Sequence, residues 1–373
     1  MRLYMIAGEA SGDLHGSNLV SALLKKAPNT EIRAWGGDLM EKSGAKIVKH
    51  YRELAFMGFA EVVMNLRTIL NNITWCKKDI ASFKPDVLVL IDYPGFNLRI
   101  AEWAKKQGIK VLYYIAPQVW AWKPNRVKKM KQCIDRMLVI LPFEKEWFKT
   151  NWDWDVTYVG HPLAEAIEGF TPAMHNFTER AIVAVLPGSR KQEISVKLPE
   201  MLKVAEQFPA YQFIVAMAPG IDAVFYKTFL QKYPNASAVQ GITYELLSQA
   251  VAAIVTSGTA TLETALFGVP EVVCYKGSPI SYQIAKRLIK IKYISLVNLI
   301  MDKPIVKELI QNDMNAKNIS TELNKILQDA QYNKSMKNDF SALKDKLKTS
   351  KNASQQVAQS IIDLSANTLK LPV

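Results

Sequence analysis

Cysteine is scarce in this 373-residue chain, with Cys76, Cys133 and Cys274 its only three. An odd number without metal-ligand spacing provides neither a disulfide framework nor a zinc motif, and it fits a reducing compartment. The four histidines form no cluster with one another. No stretch approaches the roughly 20 consecutive apolar residues that a spanning helix needs, so any membrane contact is expected to be peripheral. Met1 to Ala7 carries one arginine and a short apolar run, and Glu9 and Asp13 arrive before a cleavage-like segment is complete. The start therefore reads as a first strand and not as a signal peptide. Acidic residues are also in short supply: 34 Asp and Glu against 47 Lys and Arg leave a formal charge of +13. Such a surface attracts phosphates, anionic lipids or nucleic acid, and equally serves solubility. Without a nucleic-acid motif or interleaved aromatic platform, no nucleic-acid partner is expected.

Hydrophobic residues are plentiful at 49%, and 373 residues exceed what one core normally accommodates, so two domains are expected. Short aliphatic runs at Leu3–Ala7, Val87–Ile91, Lys110–Ile115 and Met137–Leu141 alternate with helix-period segments, the βαβ pattern of a parallel sheet. Pro85, Pro94, Pro117 and Pro142 fall at the edges of these runs. The pattern restarts at Ala181–Leu186 and continues through Gln212–Ala216, Ala236–Val239, Ala252–Val255 and Glu271–Tyr275. The expected organisation is an α/β fold of two Rossmann-like domains facing a central cleft: 1–168, 169–345, and a C-terminal helical segment at 346–373.

Between Phe56 and Ile73, Phe59, Val62, Val63, Leu66, Ile69, Leu70 and Ile73 share one helical face. That face is either a core-facing stripe or an apolar patch for lipid. Lys123, Arg126, Lys128, Lys129 and Lys131, and later Lys286, Arg287, Lys290 and Lys292, would each add about 1 kcal/mol near an anionic leaflet.

Chemistry concentrates at the turns. The strand at Ala252–Val255 runs into Thr256-Ser257-Gly258-Thr259 and a helix, where free N–H groups point at an anion, Gly258 permits close approach, and Ser257 and Thr259 add hydroxyls. Glu263, one turn on, either holds ribose hydroxyls or is a surface charge. After Ala181–Leu186 comes Pro187-Gly188-Ser189-Arg190, with a guanidinium suited to a diphosphate. In the first half, Gly8-Glu9-Ala10-Ser11-Gly12-Asp13 is a tight turn in which Ser11 and Asp13 serve either as caps or as a site. Val87–Ile91 ends at Asp92, either a general base or a turn former. Asp153 and Asp155 have the Asp-x-Asp spacing of metal-dependent transferases but fall between a helix and a strand, so no metal is assigned to them. His161 reads as structural.

Together, Gly8–Asp13, Ile91–Asn97, Ala116-Pro117-Gln118-Val119-Trp120-Ala121-Trp122, Leu141-Pro142-Phe143-Glu144, Leu186–Arg190 and Ser257–Glu263 closely resemble the lipid-A-disaccharide synthase family along almost the whole chain. The resemblance implies a GT-B fold and a cofactor-free, metal-independent, inverting transfer of 2,3-diacylglucosamine from UDP-2,3-diacylglucosamine to 2,3-diacylglucosamine 1-phosphate (lipid X). It implies Asp92 as base, Arg190 and Gly188-Ser189 on the diphosphate, and Ser257-Gly258-Thr259 with Glu263 on the donor. The family's functional asparagine falls on Asn298, where Val297 replaces a proline frequent at that position. It further implies a homodimer exchanging C-terminal elements and peripheral association with the anionic inner membrane from the cytoplasm. Phe56, Phe59, Val62, Val63, Leu66 and Leu70 then become candidates for acyl or membrane contact.

Overall fold

In the computed structural model, which describes residues 1–53, 66–173, 175–278, 282–283, 287, 291–350 and 352–366, the run Val-Leu-Val-Leu-Ile at Val87–Ile91 is buried at every position. A strand covered on both faces requires this. It is β4 of a parallel sheet built from β1 (Arg2–Ala7), β2 (Glu31–Gly36), β3 (Lys46–His50), β4, β5 (Lys110–Tyr114), β6 (Arg136–Val139) and β7 (Thr157–Tyr158), in the order β3-β2-β1-β4-β5-β6-β7. A second parallel sheet contains β8 (Ala181–Leu186), β9 (Tyr211–Met217), β10 (Ala236–Gln240), β11 (Ala250–Thr256), β12 (Glu271–Tyr275) and β13 (Lys307–Ile310), ordered β10-β9-β8-β11-β12-β13. Both orders reverse beside the first strand of the sheet, at β1/β4 and at β8/β11. In open α/β sheets ligands bind outside the carboxyl ends of the strands at such a reversal.

β2, β3 and β13 carry no aliphatic run. Their charged residues (Glu31, Arg33, Lys46, Lys49, Lys307, Glu308) interrupt it, and β3 and β13 lie at sheet edges, where charge on one face is tolerated.

The chain divides into one unit of Met1–Glu165 with Thr349–Val373 and another of Ala166–Lys348. The described residues from Thr349 onward therefore belong to the first unit and do not stand apart as a third segment. Their helix Ala353–Ala366 buries Val357, Ala358, Ile361 and Leu364 in the first unit's core, beside Leu3, Met5, Val89 and Leu112. Ser354 donates from its main chain and its hydroxyl to Glu165, and Gln356 Nε2 donates to the carbonyl of Val159 at 3.0 Å. The apolar stripe of this helix shares the sheet face with Leu19, Val20 and Leu23 of the helix Ala10–Lys26, and the burial it gains there explains the return.

The apolar segment at 56–73 is described only from the helix Leu66–Phe83 onward. Phe56, Phe59, Val62, Val63 and the Leu66 side chain lie outside the described residues. In that helix Ile73, Cys76 and Ile80 are buried and Ile69 packs against the core, whereas Leu70 and Trp75 are 50% and 43% exposed. The stripe thus divides: part faces the core, part faces outward.

Candidate active site

In the first unit the register Ala7↔Ile91 brings Gly8 and Asp92 to the same sheet edge. Asp92 and Tyr93 both have positive φ, 46° and 49°. Two consecutive non-glycine residues in this region store about 1–3 kcal/mol each and persist only when their surroundings enforce them. The enforcement is visible. Asn97 Nδ2 donates to the carbonyls of Asp92 (2.7 Å) and Ile91 (3.2 Å), the Tyr113 hydroxyl donates to the Asp92 carbonyl, and the Asp92 N–H donates to the Tyr114 carbonyl at 3.0 Å. Pro94 then opens the helix Pro94–Lys106. The Asp92 backbone is thereby fixed, and its carboxylate is half-buried. Burial, with the nearby Glu9 charge, raises its pKa to about 6. Gly8 is required because a Cβ there would meet the Tyr93 ring at 2.4 Å.

The turn at Ser11, Gly12 and Asp13 splits in role. Ser11 is exposed, but Asp13 is buried and accepts from the N–H groups of Gly37 (2.8 Å), Leu39 (3.1 Å) and Met40 (3.1 Å). Asp13 thus caps the helix Asp38–Lys42, a neighbour remote in sequence. At the same sheet edge, Trp120 Nε1 donates to Glu144 Oε1 at 3.1 Å and the Leu141 N–H donates to Glu144 Oε2 at 2.9 Å. Burial raises the Glu144 pKa to about 7. Asp153 and Asp155 both pair with Lys149 on the surface. Burial lowers the His161 pKa to about 3, so the ring is neutral, and its Nδ1 accepts from the Leu163 N–H.

In the second unit Val255↔Leu186 sets the turns after β8 and β11 side by side. Gly188 and Gly258 have φ of 118° and 149°, conformations open to glycine. Neither helix that follows, Lys191–Lys203 after Arg190 or Thr259–Leu266 after Gly258, has a side-chain cap on its first turn. Their leading N–H groups are left for an anion. Ser189, Arg190, Gly258 and Thr259 are exposed at this edge. Glu263 Oε1 accepts from the Tyr244 hydroxyl at 3.1 Å, and burial raises its pKa.

Asn298 is not at the open edge. It is buried, with Nδ2 donating to the Val306 carbonyl and Glu308 Oε1 (both 2.9 Å) and Oδ1 accepting from the N–H groups of Ile305 (2.8 Å) and Val306 (3.0 Å). Glu308 also accepts from the main chain of Ile294 and Ser295, and the Ile294 carbonyl accepts from Ser257 Oγ at 2.9 Å. The Ser257 turn is therefore braced by a residue the sequence did not single out. Glu308 sits on a charged edge strand that gives no local signal. Asn97, although within a quoted motif, likewise reveals its part only through the tertiary contacts. Among the described residues no group of three or more His, Cys, Asp or Glu is arranged to hold a metal.

Two parallel Rossmann-like sheets, each with its candidate site at the strand reversal, define a protein of the GT-B fold class. The calicheamicin glycosyltransferase matches the fold at TM-score 0.63 and 15% identity, covering 98% of each chain. The UDP-GlcNAc 2-epimerase of Neisseria meningitidis, solved with UDP-GlcNAc, matches at TM-score 0.61 and 11% identity over 100% of each chain. Within that class the assignment narrows: the family model described as lipid-A-disaccharide synthetase matches residues 3–362. Lipid-A-disaccharide synthases of Syntrophus aciditrophicus (41% identical, 92% of each chain) and Geobacter sulfurreducens (37%, 97% of each chain) are similar throughout, as is that of Coxiella burnetii (37%, 96% of this chain and 97% of the relative). The chain belongs to the lipid-A-disaccharide synthase family, UDP-sugar glycosyltransferases of lipid A biosynthesis.

Proposed function

We propose that the chain transfers 2,3-diacylglucosamine, with inversion, from UDP-2,3-diacylglucosamine to the 6-hydroxyl of 2,3-diacylglucosamine 1-phosphate (lipid X). The products are the β-1′,6-linked tetraacyl disaccharide 1-phosphate and UDP. The observation that carries this reading is Asp92: a carboxylate on an enforced, strained turn with a pKa near 6 is ionised at neutral pH and still basic enough to take a proton. As the acceptor oxygen bonds to the anomeric carbon, its proton passes to Asp92. The bond from that carbon to the β-phosphate oxygen breaks, and the electron pair leaves with UDP.

Arg190, the N–H groups around Gly188 and Ser189, and those after Gly258 receive the developing diphosphate charge, the task a divalent cation performs elsewhere. Ser257 and Thr259 supply hydroxyls, and Glu263 takes the ribose. Asn298 is a positioning residue, since its amide is spent on the fold that supports Ser257. Ser11 faces the acceptor, with Gly12 and Asp13 shaping its turn.

On the same grounds the protein works at the cytoplasmic face of the anionic inner membrane, as a homodimer, while the C-terminal helix that the family resemblance implies to be exchanged packs here in its own chain's first unit. Phe56, Phe59, Val62, Val63, Leu66 and Leu70 contact acyl chains or the bilayer. No helix of the described residues is long and apolar enough to cross a membrane. The test is a pair of variants: Asp92→Ala should lose about 10²–10⁴ in kcat while retaining UDP binding, and Arg190→Ala should lose UDP binding. Unchanged turnover in Asp92→Ala would remove Asp92 as the base.

A further inference from the structure

The helix Lys191–Lys203 sends Ile194, Leu198 and Met201 into the core, and Lys197 lies in the same stripe with its side chain only 3% exposed. A buried ammonium is costly unless it is paired and hydrogen-bonded. Among the described residues Lys197 has one carboxylate neighbour, Glu193 Oε2 at 3.8 Å, beyond hydrogen-bond range. The other oxygen of Glu193 lies 3.5 Å from Arg190. One carboxylate is therefore shared by two cations.

The location of this cluster gives it meaning. A Cβ on Gly188 would sit 3.1 Å from Glu193 Oε2 and 3.7 Å from both Lys197 Nζ and Thr256 Cγ2. Thr256 Oγ1, at the end of neighbouring β11, is buried without a partner among the described residues. A negative carboxylate thus lies directly beneath a turn suited to anions, where it would oppose a diphosphate and retain Arg190. Burial lowers the Lys197 pKa; Glu193 and Cys274 oppose that fall, and the Arg190 charge adds to it.

We propose that Lys197 is a positioning residue of the anion site: it neutralises Glu193 from below, so that Arg190 can leave that carboxylate for an incoming diphosphate. The inference rests on reading the turns after β8 and β11 as a nucleotide-diphosphate site. Uncharged at position 197, the cluster would keep Arg190 on Glu193 and present the diphosphate with an uncompensated negative charge.

Calorimetric titration of the full chain with UDP and with uridine separates charge from packing. Lys197→Met should weaken UDP binding about tenfold and leave uridine binding unchanged, and adding Glu193→Gln should restore most of the lost affinity. Glu193→Gln alone should bind UDP at least as tightly as the parent. An equal loss for UDP and uridine, or a double variant no better than Lys197→Met, overturns the proposal. If Lys197→Met does not fold, weaker UDP binding by Glu193→Gln overturns it instead. A parent protein that binds neither ligand refutes the nucleotide reading itself; parent binding of both with all variants unchanged refutes only the role of Lys197.

Discussion

Asn298 Nδ2 donates to Glu308 Oε1 at 2.9 Å, and that carboxylate oxygen also accepts from the main chain and the hydroxyl of Ser295. Ile294, next in the chain, takes the Ser257 hydroxyl on its carbonyl. The shape of the Ser257-Gly258-Thr259 turn thus depends on an edge-strand glutamate about fifty residues further along the chain.

Removing the Asn298 amide exposes that dependence. Asn298→Ala leaves the buried N–H groups of Ile305 and Val306 without their acceptor, at a cost of about 2–5 kcal/mol. Denaturant unfolding should register this loss, and calorimetry should show weakened UDP binding in the fraction that remains folded. Full stability in this variant would contradict the bracing role.

The environment of Asp92 sets a pH limit. A base works ionised, so kcat/KM should fall about tenfold per pH unit below the pKa near 6. Glu9→Gln, which removes the neighbouring negative charge, should move that limb to lower pH. Stability carries the matching sign. Because folding raises this pKa above the ordinary 3.8, the protonated form's contribution is present below 3.8 and lost as pH rises through about 6. Asp92→Asn should therefore melt at a higher temperature than the parent at pH 7.5 and show no gain below pH 3.8. A pH-independent difference would mean that burial of this charge is not the cause.

The outward part of the helix Leu66–Phe83 gives a third expectation. Leu70 is exposed while Ile73 and Cys76 fill the core and the Trp75 ring lies against buried Trp35. Leu70→Ser should leave the unfolding midpoint nearly unchanged and reduce sedimentation with anionic vesicles several-fold. Loss of fold would assign the Leu70 side chain to packing instead.

The sequence discloses what is local. The aliphatic runs of β1, β4, β8 and β11, and the glycine-bearing turns that follow them, are contiguous signals, and they carry most of the candidate site. What depends on distant partners is not legible in this way. Asp13 is spent on capping a helix at Asp38–Lys42, Asn298 on the approach to β13, and helix Ala353–Ala366 on covering the first unit's sheet. Lys197 did leave a trace, as the one charged residue in the stripe Ile194, Lys197, Leu198, Met201. Its significance emerges only beside Gly188 and Thr256.

The reaction itself can be read directly. Purified protein is incubated with UDP-2,3-diacylglucosamine and 2,3-diacylglucosamine 1-phosphate in the presence of a chelator, and the products are read by mass analysis. The products should be a tetraacyl disaccharide monophosphate and one UDP per disaccharide formed. UDP release only with an unacylated sugar acceptor, or no disaccharide until a divalent metal is added, would contradict the proposed reaction.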